Sequence, residues 1–94
     1  FVNFGGANGG INASFNVSSV TYNGTGDYTI NFTNALQDNS YTVVGCAQEV
    51  ANNGLPTFSP YQSSPFTTSS ARVRTALGGT SLINSPQVFA VVYR

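Results

Sequence analysis

Polar and apolar positions alternate most regularly in the segment from Ser14 to Leu36, where two strand-like runs flank the turn signal Asn23-Gly24-Thr25-Gly26-Asp27. That arrangement predicts an antiparallel hairpin. After the turn, Tyr28, Ile30 and Phe32 share one parity while Asp27, Thr29, Asn31 and Thr33 take the other, the period of a half-buried strand. Before it, Phe15 and Val17 are in register, the pattern slips at Ser18-Ser19, and Val20 and Tyr22 resume on the opposite parity. A slip of one residue predicts a β-bulge.

The same reading extends to both sides. Phe1, Val2 and Phe4 form a short strand, and Gly5-Gly6-Ala7-Asn8-Gly9-Gly10 a turn with too little side-chain bulk for a core strand, after which Ile11 leads into the hairpin. Asn34 to Asn39 is a polar connection. Tyr41 to Gln48 is apolar on both parities, which predicts a central strand. Ala71 to Leu77 alternates, with Ala71, Val73, Thr75 and Leu77 facing one way and Arg72, Arg74 and Ala76 the other; Thr67 to Ser70 are candidates to extend it. Gln87 to Arg94 is apolar on both faces and needs cover on two sides, from a second sheet or another subunit. No stretch carries a helical period. Six or seven short strands without helices predict an all-β fold, a small antiparallel β-sandwich, and the spacing leaves no room for parallel crossover units.

Two connections remain, Glu49 to about Phe66 and Gly78 to Pro86. The first exceeds the length of ordinary loops and combines Pro56, Pro60 and Pro65 with Phe58, Tyr61 and Phe66. Prolines stiffen such a segment and aromatic faces make it adhesive. Asn52, Asn53, Phe58, Tyr61 and Phe66, with Ser81 to Asn84 in the shorter connection, are therefore candidate receptor contacts, because sugar recognition pairs aromatic faces with amide and hydroxyl groups. The alternative is that these aromatics fold back to roof the core, with a short strand inside the connector.

Composition sharpens this picture. Only 6% of the 94 residues are charged, against about 25% in soluble domains generally. Solubility must come from Asn, Ser, Thr and Gly, a surface suited to variable salt and to neutral polyhydroxyl ligands. A single domain of this size buries a thin core. The cations are Arg72, Arg74 and Arg94 and the formal net charge is zero, which gives a nucleic-acid phosphate backbone little to attract. No apolar stretch reaches the length of a transmembrane helix. The chain opens at Phe1 with no Met and no signal-peptide pattern, which reads as a piece of a longer polypeptide. The lone Cys46 lies in the apolar run and is expected to be buried.

Catalytic parts are scarce. Without His, and with one Cys and three acids, the chain lacks the means for an ordinary serine or cysteine triad or a His-bearing zinc site. Two facing carboxylates for glycoside hydrolysis would have to come from Asp27, Asp38 and Glu49. Asp27 and Asp38 read as turn residues and Glu49 as a solvated one. No enzyme activity, cofactor or metal is expected. With no acid obvious beside them, Arg72 and Arg74 are expected to project outward or lie at an edge.

The VNF run with its Gly-rich turn, then SFNVSSVTYNGTGDYTINFTNAL, then SYTVVG and more loosely ARV around Val73, resemble the C-terminal tip domain of bacteriophage tail fibres, especially of phages infecting cyanobacteria. The resemblance covers the first half of the chain closely and the second half in strand pattern. It implies a homotrimer at the distal end of a fibre in the virion, acting outside the cell on a host surface protein or a lipopolysaccharide-like glycan. A trimer also has a physical motive, since a thin domain with strands apolar on both faces gains by burying part of Tyr41 to Gln48 and Gln87 to Arg94 between copies. A fibre or virion domain that trimerises without touching receptor is the alternative.

Overall fold

The computed structural model describes residues 1–51, 54–78 and 80–94. Nine strands form among these residues: β1 (Val2–Phe4), β2 (Ile11–Ser14), β3 (Val17–Gly24), β4 (Asp27–Phe32), β5 (Thr42–Ala47), β6 (Thr57–Pro60), β7 (Ser70–Leu77), β8 (Ser81–Leu82) and β9 (Val88–Tyr93). They make two antiparallel sheets. The first has the order β2-β1-β9-β5; the second has the order β3-β4-β7-β6, with β8 also on β7.

The predicted hairpin is β3 and β4, with Tyr28, Ile30 and Phe32 all turned inward. Its register shifts between Val17 and Ser19, where the parity slip predicts a bulge. The turn is tighter than its sequence signal, because only Thr25 and Gly26 lie between the strands. Gly26 sits at φ +63, and a Cβ there would meet the Thr75 carbonyl and lie 2.8 Å from Ile83 N. Glycine is needed both for the left-handed backbone and for the close approach to β7.

Both sheets contribute to one core, in a sandwich-like arrangement. Val2, Phe4, Val88 and Ala90 come from the first sheet, and Val17, Val20, Tyr28, Ile30, Phe32, Ala71 and Val73 from the second. Phe4 and Tyr28 meet edge to face across the layers, 5.0 Å between ring centres. The Tyr28 hydroxyl donates to the Gly6 carbonyl at 2.7 Å, which satisfies a phenol that is otherwise fully buried. A second aromatic group forms where Tyr41 lies between Phe32 and Phe66. The Tyr41 hydroxyl reaches the carbonyls of Thr67 and Ser70, and burial raises its pKa to about 12.

Four expectations need correction. Tyr41 to Gln48 is not a central strand: β5 is an edge strand, and β9 is the one flanked on both sides. Its two apolar parities have separate reasons, since Val43, Gly45 and Ala47 face the core while Val44 and Cys46 face outward. Cys46 is consequently exposed, not buried. Phe15 does not join the hairpin; the chain turns at Asn16 with φ +57, leaves Phe15 74% exposed and sends Ile11–Ser14 to the other sheet as β2. The strand count rises above six or seven because β2, β6 and β8 are short pieces inside segments that read as lead-in or connection.

Gly45 explains how the connector docks on β5. A Cβ at this position would lie 2.5 Å from the Phe89 carbonyl and 2.8 Å from the Phe58 ring. The missing side chain is the space that Phe58 fills, bringing β6 of one sheet against β5 of the other.

Candidate functional site

The long connector supplies three aromatic rings, and they have different surroundings. Phe58, in β6, and Phe66, which bridges to Ala71, are half-buried and pack against the core. Tyr61 instead lies on the outer side of the second sheet. Its backbone N–H donates to the Arg72 carbonyl at 2.9 Å, and its ring faces two guanidinium groups, with Arg72 Cζ 3.8 Å and Arg74 Cζ 4.4 Å from the ring centre. Asn52 and Asn53 lie outside the described residues.

In the shorter connection, Ser81 is exposed in β8. Asn84 turns inward as a bracket: its side-chain oxygen accepts from Gly26 N at 2.9 Å and from the Tyr28 hydroxyl at 3.4 Å, and its amide donates to the Tyr22 hydroxyl at 3.0 Å. The predicted contact residues thus separate into a surface member beside β7, an exposed serine and several side chains engaged within the protein.

Tyr61 belongs to a polar cluster built by strand register. Alternation on β7 puts Arg72 and Arg74 on the face opposite Val73, and pairing with β4 sets Asp27 across from Arg74 and Thr29 across from Arg72. Arg72 reaches diagonally to Asp27 with two hydrogen bonds, Nε to Oδ1 at 2.9 Å and Nη2 to Oδ2 at 2.8 Å. Arg74 Nη2 stands at 3.9 Å from the same Oδ2. The outward placement of both arginines is observed, but the acid that sequence inspection does not find beside them is Asp27, forty-five positions away. Asp27 is therefore more than a turn residue. The bidentate hydrogen bond from Arg72 holds its carboxyl below the ordinary carboxylate range against the opposing effect of burial, and Asn23 and the nearby arginine charges add to this.

A ladder of uncharged hydrogen-bonding groups continues from the cluster. The Asn23 amide donates to Thr29 Oγ1 at 2.8 Å and to Asp27 Oδ1 at 3.4 Å, and the Asn31 amide donates to Ser19 Oγ and Thr21 Oγ1. Asp38 does serve its turn by accepting from Ser40 N, and it also takes a bidentate pair from Arg94.

The outer side of the first sheet is different in kind. Val44 pairs across from Val91, Cys46 from Phe89 and Thr42 from Tyr93. Val44 is 61%, Val91 50% and Tyr93 74% exposed. This face carries apolar side chains in water and no charged residue on the paired stretch of β5 and β9.

A concavity at Phe15 was not evident from the sequence. A cavity of about 160 Å³ is lined by Phe1, Phe15, Val17, Phe32, Leu36 and Val92, and a wider hollow of about 340 Å³ adjoins it along Phe15, Asn16 and Asn34. It forms because the chain turns at Asn16, where φ is +57, and leaves Phe15 outside the hairpin.

Comparison with known protein families, curated proteins and solved structures finds no match for this chain.

Proposed function

We propose that this domain is a non-enzymatic attachment module, the tip of a bacteriophage tail fibre, which assembles as a homotrimer and holds a host-surface polysaccharide. The observation that carries the reading is the uncharged apolar outer face of β5 and β9, because contiguous exposed apolar side chains on a small domain mark a surface that is covered in the working state. Covering it with copies of the same chain compensates for the thin core. The threefold symmetry and the place at the end of a fibre come from the tail-fibre resemblance of the first half of the chain.

In this reading the outer face of the second sheet meets the receptor. Amide and hydroxyl groups in rows beside a partly exposed aromatic ring suit a polyhydroxyl ligand, and Tyr61, Thr29 and Asn31 provide both kinds of group there. Ser81 remains available at the neighbouring edge.

A structural capping role is the second reading, favoured by the packing of Phe58 and Phe66 against the core. Two measurements on the isolated domain decide between these roles and test their shared basis. Light scattering should give three times the 9.8 kDa chain mass; a monodisperse single-chain mass at micromolar concentration refutes both. A fluorescent form of the domain should label host cells if it is an attachment module, and leave them unlabelled if it is only a cap.

A further inference from the structure

We infer that the receptor group held at Tyr61, Arg72 and Arg74 is anionic, the acid group of an acidic saccharide, with Arg74 as its principal partner. This rests on the reading of the second sheet's outer face as the receptor side and adds the chemistry of the ligand. The charge inventory of the cluster is the starting point. Two guanidinium groups surround one carboxylate, so the cluster keeps a net positive charge on a surface that is otherwise almost uncharged.

The two arginines are not equivalent. Arg72 gives both arms of its fork to Asp27, and neutralising that carboxylate requires no second cation. Arg74 touches Asp27 only at 3.9 Å, its Nε is buried without a hydrogen-bond partner among the described residues, and its side chain as a whole remains 31% exposed. Stacking on Tyr61 orients the guanidinium while leaving its terminal nitrogens the task of finding an acceptor. A planar fork held this way matches a carboxylate or a sulfate. The row of Thr29, Asn23, Asn31, Thr21 and Ser19 leading away from the arginines fits the hydroxyls of a sugar chain better than the apolar side chains of a peptide.

The test is biolayer interferometry of the intact domain on three immobilised probes: oligogalacturonate, dextran sulfate and neutral dextran. Oligogalacturonate or dextran sulfate should bind well above dextran and lose affinity as NaCl is raised; the tighter of the two names the acid group as carboxylate or sulfate. Arg74→Gln should weaken acidic-probe binding about tenfold, the loss of one charge-assisted contact, Arg74→Lys should recover part of it, and Arg94→Gln should leave it unchanged. Equal binding to all three probes, no binding to either acidic probe, or indifference to Arg74→Gln in a protein with unchanged melting temperature overturns the inference. If Arg74→Gln fails to fold, Arg74→Lys and the salt titration of the unaltered domain decide on the same criteria. Cell labelling with the same samples separates the two levels. Cells labelled equally by the unaltered domain and by Arg74→Gln refute the anionic site and leave attachment standing, whereas retention on oligogalacturonate without labelling of any host supports the site and refutes attachment.

Discussion

The outer faces of the two sheets are both built from antiparallel strands, yet they handle water in opposite ways. On the second sheet the outward positions are Ser, Thr, Asn, Asp and Arg, and most are linked: Arg72 to Asp27, Asn23 to Thr29, Asn31 to Ser19 and Thr21. On the first sheet the outward positions of β5 and β9 are Val44, Cys46, Phe89, Val91 and Tyr93, with no polar network over them. A polar face can remain in solvent with its groups partly paired. An apolar face gains free energy only when something covers it. The difference teaches that apolar residues on both parities of an antiparallel strand need not mean a central position in a sheet: in the edge strand β5 one parity packs on the core and the other stands in solvent.

The largest expected effect comes from making the first face resemble the second. Val44→Glu combined with Val91→Lys keeps opposite charges across the β5 and β9 pair, so the chain should fold while the proposed trimer weakens by about a hundredfold or more, owing to desolvation of the new charges. Light scattering at graded concentrations reads this directly. An unchanged oligomer would remove the apolar face from the interface.

Next in size is removal of the anion on which the second face is organised. Asp27→Asn leaves Arg72 without its bidentate partner and should cost about 1 to 2 kcal/mol, the lower part of the range for hydrogen bonds to charged groups because Arg72 is partly exposed. In a domain this size that corresponds to a fall of about 4 to 8 °C in melting temperature for each kcal/mol, and calorimetry should find it with association unaffected.

Acid should reproduce part of that loss reversibly. The folded-state pKa of Asp27 is depressed, so its contribution to stability is complete above the unfolded value of about 3.9 and disappears as pH falls through the lower folded value. Asp38 shifts in the same direction through Arg94 and Ser40. Urea midpoints should therefore drop as the pH is lowered below about 4, and the drop should be smaller in Asp27→Asn.

The smallest expected effect is that of Tyr61→Ala. The stacked arginines would lose their aromatic support, worth about 0.5 to 1 kcal/mol at an exposed site. A modest change in urea midpoint with a larger loss of binding to host cells would mark Tyr61 as a surface contact; the reverse pattern would mark it as a structural one.

Much of the fold was legible because side-chain parity is a local property. The alternation of Tyr28, Ile30 and Phe32, the slip at Ser18-Ser19 and the outward turn of Arg72 and Arg74 each follow from neighbours within a few residues, and all appear in the structure. The candidate surface was less legible. Tyr61 reads as an aromatic in a long connector, but its arginine partners and their acid belong to distant strands. Phe58 and Phe66 carry the same local signal as Tyr61 and pack on the core, since the choice depends on what lies beneath them, such as the space left by Gly45.

By itself the sequence determined an all-β chain, the strands with the strongest alternation, the hairpin with its bulge and a surface almost free of charge. Those features come from backbone periodicity, turn chemistry and composition, which act at short range or need no geometry at all. Only the tertiary structure decided that β9 and not β5 lies inside its sheet, that Cys46 faces outward and that Asp27 meets Arg72. Strand order and register arise from pairing between distant segments, and the same local alternation is compatible with many such pairings until one shared core selects among them.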